Sequence, residues 1–228
     1  MNPDLTNALL NGLILYIILA LSIALHEFGH AKVGDLVGDP LPRLQNRVTL
    51  NPLAHLDPIG TGLIPATMIF LPILLGAPLP ISLIGWGKPV QIALDNPRTR
   101  KRNEILITIA GPGVNFLIAL FTAIITGVFL RYFGDASVAD AVYHVASLAI
   151  IVNCLLIVFN LIPLPPLDGS RLLRHVVGLS EETFYRLALN SPWILLILVN
   201  LSVFRQLLGT VRDTVADPFF RLLLAIAS

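Results

Sequence analysis

A charged motif inside an apolar run limits how this chain can fold more than any other feature. From about Leu9 the sequence is almost continuously apolar, and near the end of that run stands Ala24-Leu25-His26-Glu27-Phe28-Gly29-His30-Ala31. The run, ending at about Val33, is long enough for a helix that spans roughly 30 Å of hydrocarbon. Residues four apart on a helix share one face, with Cβ atoms roughly 6 Å apart. His26 and His30 can therefore grip one metal ion together, and Glu27 lies beside that face, where a carboxylate can take a proton from a water held by the metal. Two imidazoles and a carboxylate inside an apolar helix are costly unless something satisfies them. A metal would do so.

Composition supports a membrane setting. The 228 residues are 55% hydrophobic and only 13% charged, with a mean hydropathy of +0.81, whereas soluble domains carry about 25% charge. The expected architecture is an all-α polytopic membrane protein with about five to six transmembrane or partial membrane helices and a short re-entrant or β element near the active site. Residues 1–228 are expected to form one membrane domain, with its core over about 8–175 and C-terminal helices over about 176–228. The net charge of +1 and the absence of a basic face exclude nucleic acid as a partner. Cys154 is the single cysteine, so no intrachain disulfide can form, and it reads as a small buried apolar residue. The start, Met1-Asn2-Pro3-Asp4, has no basic side chain, so the first run is expected to be retained rather than cleaved as a signal peptide.

In chain order, Gly34 to Pro58 is a polar, proline-punctuated connection in which Arg47-Val48-Thr49-Leu50 reads as a short strand. Gly60 to Leu83 is apolar but broken by Pro65, Pro72, Pro78 and Pro80. It reads as a kinked span, a re-entrant hairpin, or a helix with an extended return. Trp86 to Arg102 is a polar loop with Lys88, Arg98, Arg100, Lys101 and Arg102 against Asp95 alone, which places it in the cytoplasm. Ile105 to Leu130 then runs outward and Ala141 to Ile162 returns inward, stopping at Pro163-Leu164-Pro165-Pro166-Leu167-Asp168-Gly169, with a new helix near Ser170. Pro192 to Phe204 and Val215 to Ile226 are short apolar stretches, one span and one interfacial or partial span.

A catalytic zinc generally takes three protein ligands and leaves one position for water. His55, Asp57, Asp168, His144 and His175 are the candidates for the third. Topology favours Asp168, because the fourth long apolar run, Ala141 to Ile162, runs inward and delivers it to the same side as His26 and His30; its other reading is an N-cap for the following helix. His55 reads as a ligand, a hydrogen-bonding residue near the mouth, or an ordinary loop histidine, with the last two favoured. Asn115 follows Ala110-Gly111-Pro112-Gly113-Val114, where small residues permit close helix approach. Asn115 and Asn160 either join helices or hydrogen-bond a substrate backbone or developing oxyanion.

Taken together, His26-Glu27-Phe28-Gly29-His30, Ala110-Gly111-Pro112-x-x-Asn115 and Asn160-Leu161-Ile162-Pro163-Leu164-Pro165-Pro166-Leu167-Asp168-Gly169 resemble the site-2 protease family of intramembrane zinc peptidases. The Asn51 to Gly60 connection and Gly85-Trp86-Gly87-Lys88-Pro89-Val90 are similar to its compact branch, without PDZ or CBS domains. The resemblance implies one Zn2+ per chain on His26, His30 and Asp168, with Glu27 as general base and acid. It implies cleavage of a transmembrane protein or peptide, often as the second cut of regulated intramembrane proteolysis. The expected setting is the lipid bilayer of the cell, with the site toward the cytoplasm and homo-oligomerisation left open. The rival readings are a membrane metal-ion transporter, a metal-binding protein without proteolytic activity, or a silent chaperone that keeps the metal for stability. A transporter calls for ionisable groups along several spans, whereas one compact cluster dominates here, and an intact Glu27 disfavours the chaperone.

Overall fold

Small and polar residues, not hydrophobic periodicity, decide which helix faces pack. The computed structural model describes residues 3–77, 85–94 and 96–228. Its helices are α1 (Pro3–Leu36), a short α2 (Leu41–Leu44), α3 (Ile64–Leu75) entered through a π-helical turn at Pro58–Leu63, α4 (Arg100–Phe133), α5 (Ala136–Asn160), α6 (Asp168–Val177), α7 (Glu181–Asn200) and α8 (Ser202–Ala227). Four segments are long and apolar enough to cross a membrane: α1, the Pro58–Leu75 unit, α4 and α5. Helices α7 and α8, which meet at 83°, add a fifth if they form one broken span. The chain is an all-α polytopic membrane protein.

Lipid tails are as apolar as a protein core, so helices gain little by hiding leucine from lipid. Leu10, Leu13, Ile17 and Leu21 accordingly stay exposed along α1, while Ser22, His26 and His30 are buried. Gly29 lets α1 approach α4 closely: a β-carbon there would stand 2.8 Å from the Ala110 carbonyl oxygen. Further along α4, Ala119 and Ala123 pack with Ile150 and Cys154 of α5 and with Ala216, Phe219 and Leu223 of α8. Cys154 is thus a buried apolar residue, as its surroundings in the sequence indicate. Helix α8 differs from the expected short stretch at Val215 to Ile226. It begins at Ser202 and joins the bundle core, and its polar residues Arg205, Arg212, Asp213 and Asp217 broke the hydropathy signal.

Between α1 and α3 the expected strand at Arg47-Val48-Thr49-Leu50 is not formed; the chain bends through 48–50. Local hydrogen bonds take up main-chain groups that a strand would pair, since the Arg47 amide donates to Pro42 O and Thr49 O accepts from His55 Nε2. Extended pairing occurs instead as an isolated antiparallel bridge between Leu56 and Gly87. The Lys88 amide donates to His55 O at 2.8 Å, the Trp86 amide to Gly60 O at 3.1 Å, and the Ala93 amide to the buried Asp39 carboxylate at 2.7 Å. These bonds hold residues 85–93 as an extended strap beside α1. The part of the Gly60 to Leu83 stretch that carries Pro78 and Pro80 lies outside the described residues, as does Asp95.

Replacing Gly29 by valine should force α1 and α4 apart at the cost of about 1–3 kcal/mol. Thermal unfolding in detergent checks this: the midpoint should fall for Gly29→Val and hold for Gly113→Ala, whose added methyl meets nothing within 4 Å.

Candidate metal centre

The helical spacing of the motif puts His26 and His30 one turn apart, both buried, with ring centroids 4.7 Å apart. They face α4 at Gly111. A β-carbon on Gly111 would overlap both imidazoles, so only glycine lets α4 back onto the pair. The third element arrives from the proline-rich turn after α5. Asp168 is the first residue of α6, and Leu167 holds the N-cap position without any side-chain cap. The rival capping role of Asp168 is therefore not taken up, and its carboxylate turns to the histidines. Glu104 of α4 anchors the far end of α6 by accepting from His175 at 3.1 Å and pairing with Arg174 at 3.8 Å.

Asp168 Oδ2 lies 3.2 Å from each of His26 Nε2 and His30 Nε2, and the two nitrogens are 3.1 Å apart. The outer ring atoms are each engaged by the protein. His30 Nδ1 donates to the Ile107 carbonyl at 2.7 Å and His26 Nδ1 donates to Asn115 Oδ1 at 2.6 Å. Each neutral imidazole then presents a lone pair at Nε2. Asp168 Oδ2, buried, receives no hydrogen bond. With both imidazoles neutral, three lone pairs converge, an arrangement that repels itself unless a cation sits among them. Tetrahedral zinc with bonds of about 2.0–2.1 Å puts ligand atoms about 3.3 Å apart, close to the separations found. The residues fit a zinc ion, and they are the one cluster of this kind among the described residues.

A cavity of about 230 Å³ opens onto this cluster. Glu27 lines it, and among the described residues nothing hydrogen-bonds the Glu27 carboxylate. Gly87 of the strap lies against Glu27, where a β-carbon would stand 3.0 Å from Oε1. Trp86, Val90, Leu156 and Phe159 supply apolar walls, and Asn160 and Arg171 also border the space.

The other sequence candidates fall elsewhere. Asn160 reaches the cavity but spends its amide Nδ2 on Leu156 O. Asn115 is fully buried behind His26, with Nδ2 donating to Asn153 Oδ1 at 2.8 Å. His55 is buried outside the cluster; its Nε2 donates to Thr49 O, and burial pushes its imidazole pKa down, partly offset by that bond. Asp57 caps the turn into α3 through the Ile59 and Gly60 amides, His175 pairs with Glu104, and His144 is exposed. Sequence reading passed over Ser22 and Asn153. The signal was present in the stripe Ser22, His26, His30, which repeats every four residues on α1, and in a second buried asparagine on α5.

Comparison with known proteins places these observations. Residues 124–199, which include Asp168, match the model of Peptidase family M50. The chain is 34% identical over 166 residues to "Putative zinc metalloprotease YwhC" of Bacillus subtilis, covering 72% of this chain and 68% of that protein. It is 31% identical over 184 residues to "Putative zinc metalloprotease Rip2" of Mycolicibacterium smegmatis, covering 80% of this chain and 64% of the relative. This chain thus spans about two thirds of the length of the curated relatives. No solved structure matches it.

The Gly111→Ala variant should lose the metal, because its methyl takes the space of the ligand rings. Elemental analysis of the purified protein should find about one zinc per wild-type chain and less than about a tenth of that in Gly111→Ala.

Proposed function

This chain belongs to Peptidase family M50, and we propose that it hydrolyses peptide bonds in or near membrane-spanning segments of protein substrates, using one zinc ion. The observation that carries the reading is the meeting of His26 Nε2, His30 Nε2 and Asp168 Oδ2 within 3.2 Å of one another beside the carboxylate of Glu27. When bound, zinc supplies Lewis acidity toward a carbonyl and a water.

The chain's own residues do the rest. His26, His30 and Asp168 hold the ion, and their outer hydrogen bonds keep the ligand lone pairs inward. Glu27, adjacent in sequence to a ligand and bordering the same cavity, takes the proton of the attacking water and passes it to the leaving amine nitrogen. Asn115 has both ends of its amide engaged within the protein, so we assign it to holding His26. Asn160 keeps Oδ1 as an acceptor for a substrate amide. The apolar walls exclude bulk water and suit an unwound apolar peptide. A transport role asks for a path of ligands across several spans, and the described residues offer the single cluster.

The excess of Lys88, Arg98, Arg100, Lys101 and Arg102 over Asp95 supports a cytoplasmic orientation of the strap and of the cavity beside it. With the only native cysteine buried, Lys88→Cys should label from the cytoplasmic side alone and Asp135→Cys from the opposite side alone.

Glu27→Gln should retain about one zinc while its cleavage of transmembrane peptides in detergent drops at least about 100-fold, the lower range for losing a general base. Cleavage by Glu27→Gln at the wild-type rate would remove Glu27 from the chemistry.

A further inference from the structure

We propose that Asn153 is a positioning residue that decides which nitrogen of His26 carries the proton. It acts from α5, two hydrogen bonds from the ring. The inference rests on the reading of His26, His30 and Asp168 as metal ligands.

The two histidines are held by unlike partners. His30 Nδ1 faces a backbone carbonyl, Ile107 O, at 2.7 Å. A carbonyl only accepts, so the proton stands on Nδ1 and Nε2 is free to ligate. His26 Nδ1 faces the side-chain amide of Asn115 at 2.6 Å, and an amide is ambivalent. With Oδ1 toward the ring, Nδ1 carries the proton and Nε2 is a ligand. With the amide turned over, Nδ2 would donate to Nδ1, the proton would move to Nε2, and the ligand would be lost.

The orientation of Asn115 is decided at its far end. Its Nδ2 lies 2.8 Å from Asn153 Oδ1. Asn153 in turn has Nδ2 at 2.9 Å from the Ala149 carbonyl, one turn back on α5, and at 3.0 Å from Ser22 Oγ on α1. Ala149 O admits only a donor, so Asn153 must present nitrogen there and oxygen toward Asn115. Asn115 must then present nitrogen to Asn153 and oxygen to His26. The polarity runs one way, from a backbone carbonyl of α5 to a ligand on α1. The other anchor of Asn115, the Ser22 carbonyl, is distant at 3.4 Å. Asn115 and Asn153 are 0% exposed and Ser22 3%, so solvent cannot replace a missing partner.

Ordinary interhelical joining by asparagine would affect the stability of the bundle whether or not metal is bound. A polarity relay affects the metal. The test uses the full chain in detergent, with zinc affinity measured by chelator competition and ligand geometry by the visible spectrum of the Co2+-loaded protein. Asn153→Leu should weaken zinc by about 10–100-fold, the range for losing a group that orients a ligand, and should alter the cobalt spectrum. Asn153→Ala gives the same readout with less bulk. Asn153→Asp, which still offers an acceptor to Asn115, should keep the native spectrum. In an Asn115→Asp background the group facing His26 accepts whichever way it turns, so adding Asn153→Leu should change neither affinity nor spectrum further. The relay is overturned if Asn153→Leu and Asn153→Ala keep native zinc affinity and cobalt spectrum while only the metal-free melting temperature falls. It is also overturned if Asn153→Leu costs as much in the Asn115→Asp background as in wild type. A wild-type chain that binds no zinc removes the ligand reading and the relay with it; zinc binding unaffected by Asn153 removes the relay alone.

Discussion

Two imidazole nitrogens and a carboxylate oxygen within 3.2 Å of one another form a knot of lone pairs that an apolar bundle tolerates poorly. In a low dielectric the mutual repulsion of acceptors is felt strongly and water is not at hand to relieve it. The surrounding structure is arranged to keep the three atoms together. Helix α1 supplies the histidines from one face, α4 backs them through Gly111, and α6 carries Asp168 while its other end is tied to Glu104. Hydrogen bonds donated by the ring Nδ1 groups to Ile107 O and Asn115 Oδ1 hold the rings with their lone pairs inward. Without a cation this convergence is costly, and a bound cation would offset that cost.

Backbone does much of the work that side chains do in a soluble enzyme. Gly29 brings α1 to Ala110 of α4, Gly87 lies against Glu27, and Gly60 makes room for the Trp86 ring. At each place a β-carbon would collide, so the approach depends on its absence. The strap over residues 85–93 stays beside the cavity through main-chain bonds to His55 and Gly60 and through the carboxylate of Asp39. It thereby forms one wall of a space whose floor is His26, His30 and Asp168 and which Glu27 also lines.

Much of this was legible beforehand. The spacing of His26 and His30, the charge beside them and the apolar run around them were enough to argue for a metal inside a membrane helix. The proline-rich stop after Ala141 to Ile162 pointed to Asp168 as the carboxylate that meets the two histidines, because it limited where that side chain could be delivered. The strand at 47–50 did not form; the Arg47 amide bonds Pro42 O and Thr49 O accepts from the His55 ring, local partners that a pattern of residue types does not display. The full length of α8 was hidden because its charged residues interrupt an apolar signal, although its buried face consists of Ala216, Phe219 and Leu223.

Hydrophobic patterning and local spacing determined that the chain lives in a membrane, roughly where its spans lie, and that His26 and His30 share one face of a spanning helix. Those properties follow from local spacing and from transfer free energy, which depend on residue type and position alone. Tertiary structure decided which polar side chains meet. Helices that are apolar all round carry no periodic mark of their inner face, so the pairing of Asn115 with His26 and of Asn153 with Asn115 could not be read from either helix separately. The direction of those hydrogen bonds depends on a carbonyl of one helix facing an amide that in turn faces a second helix. That relation exists only once three helices have packed.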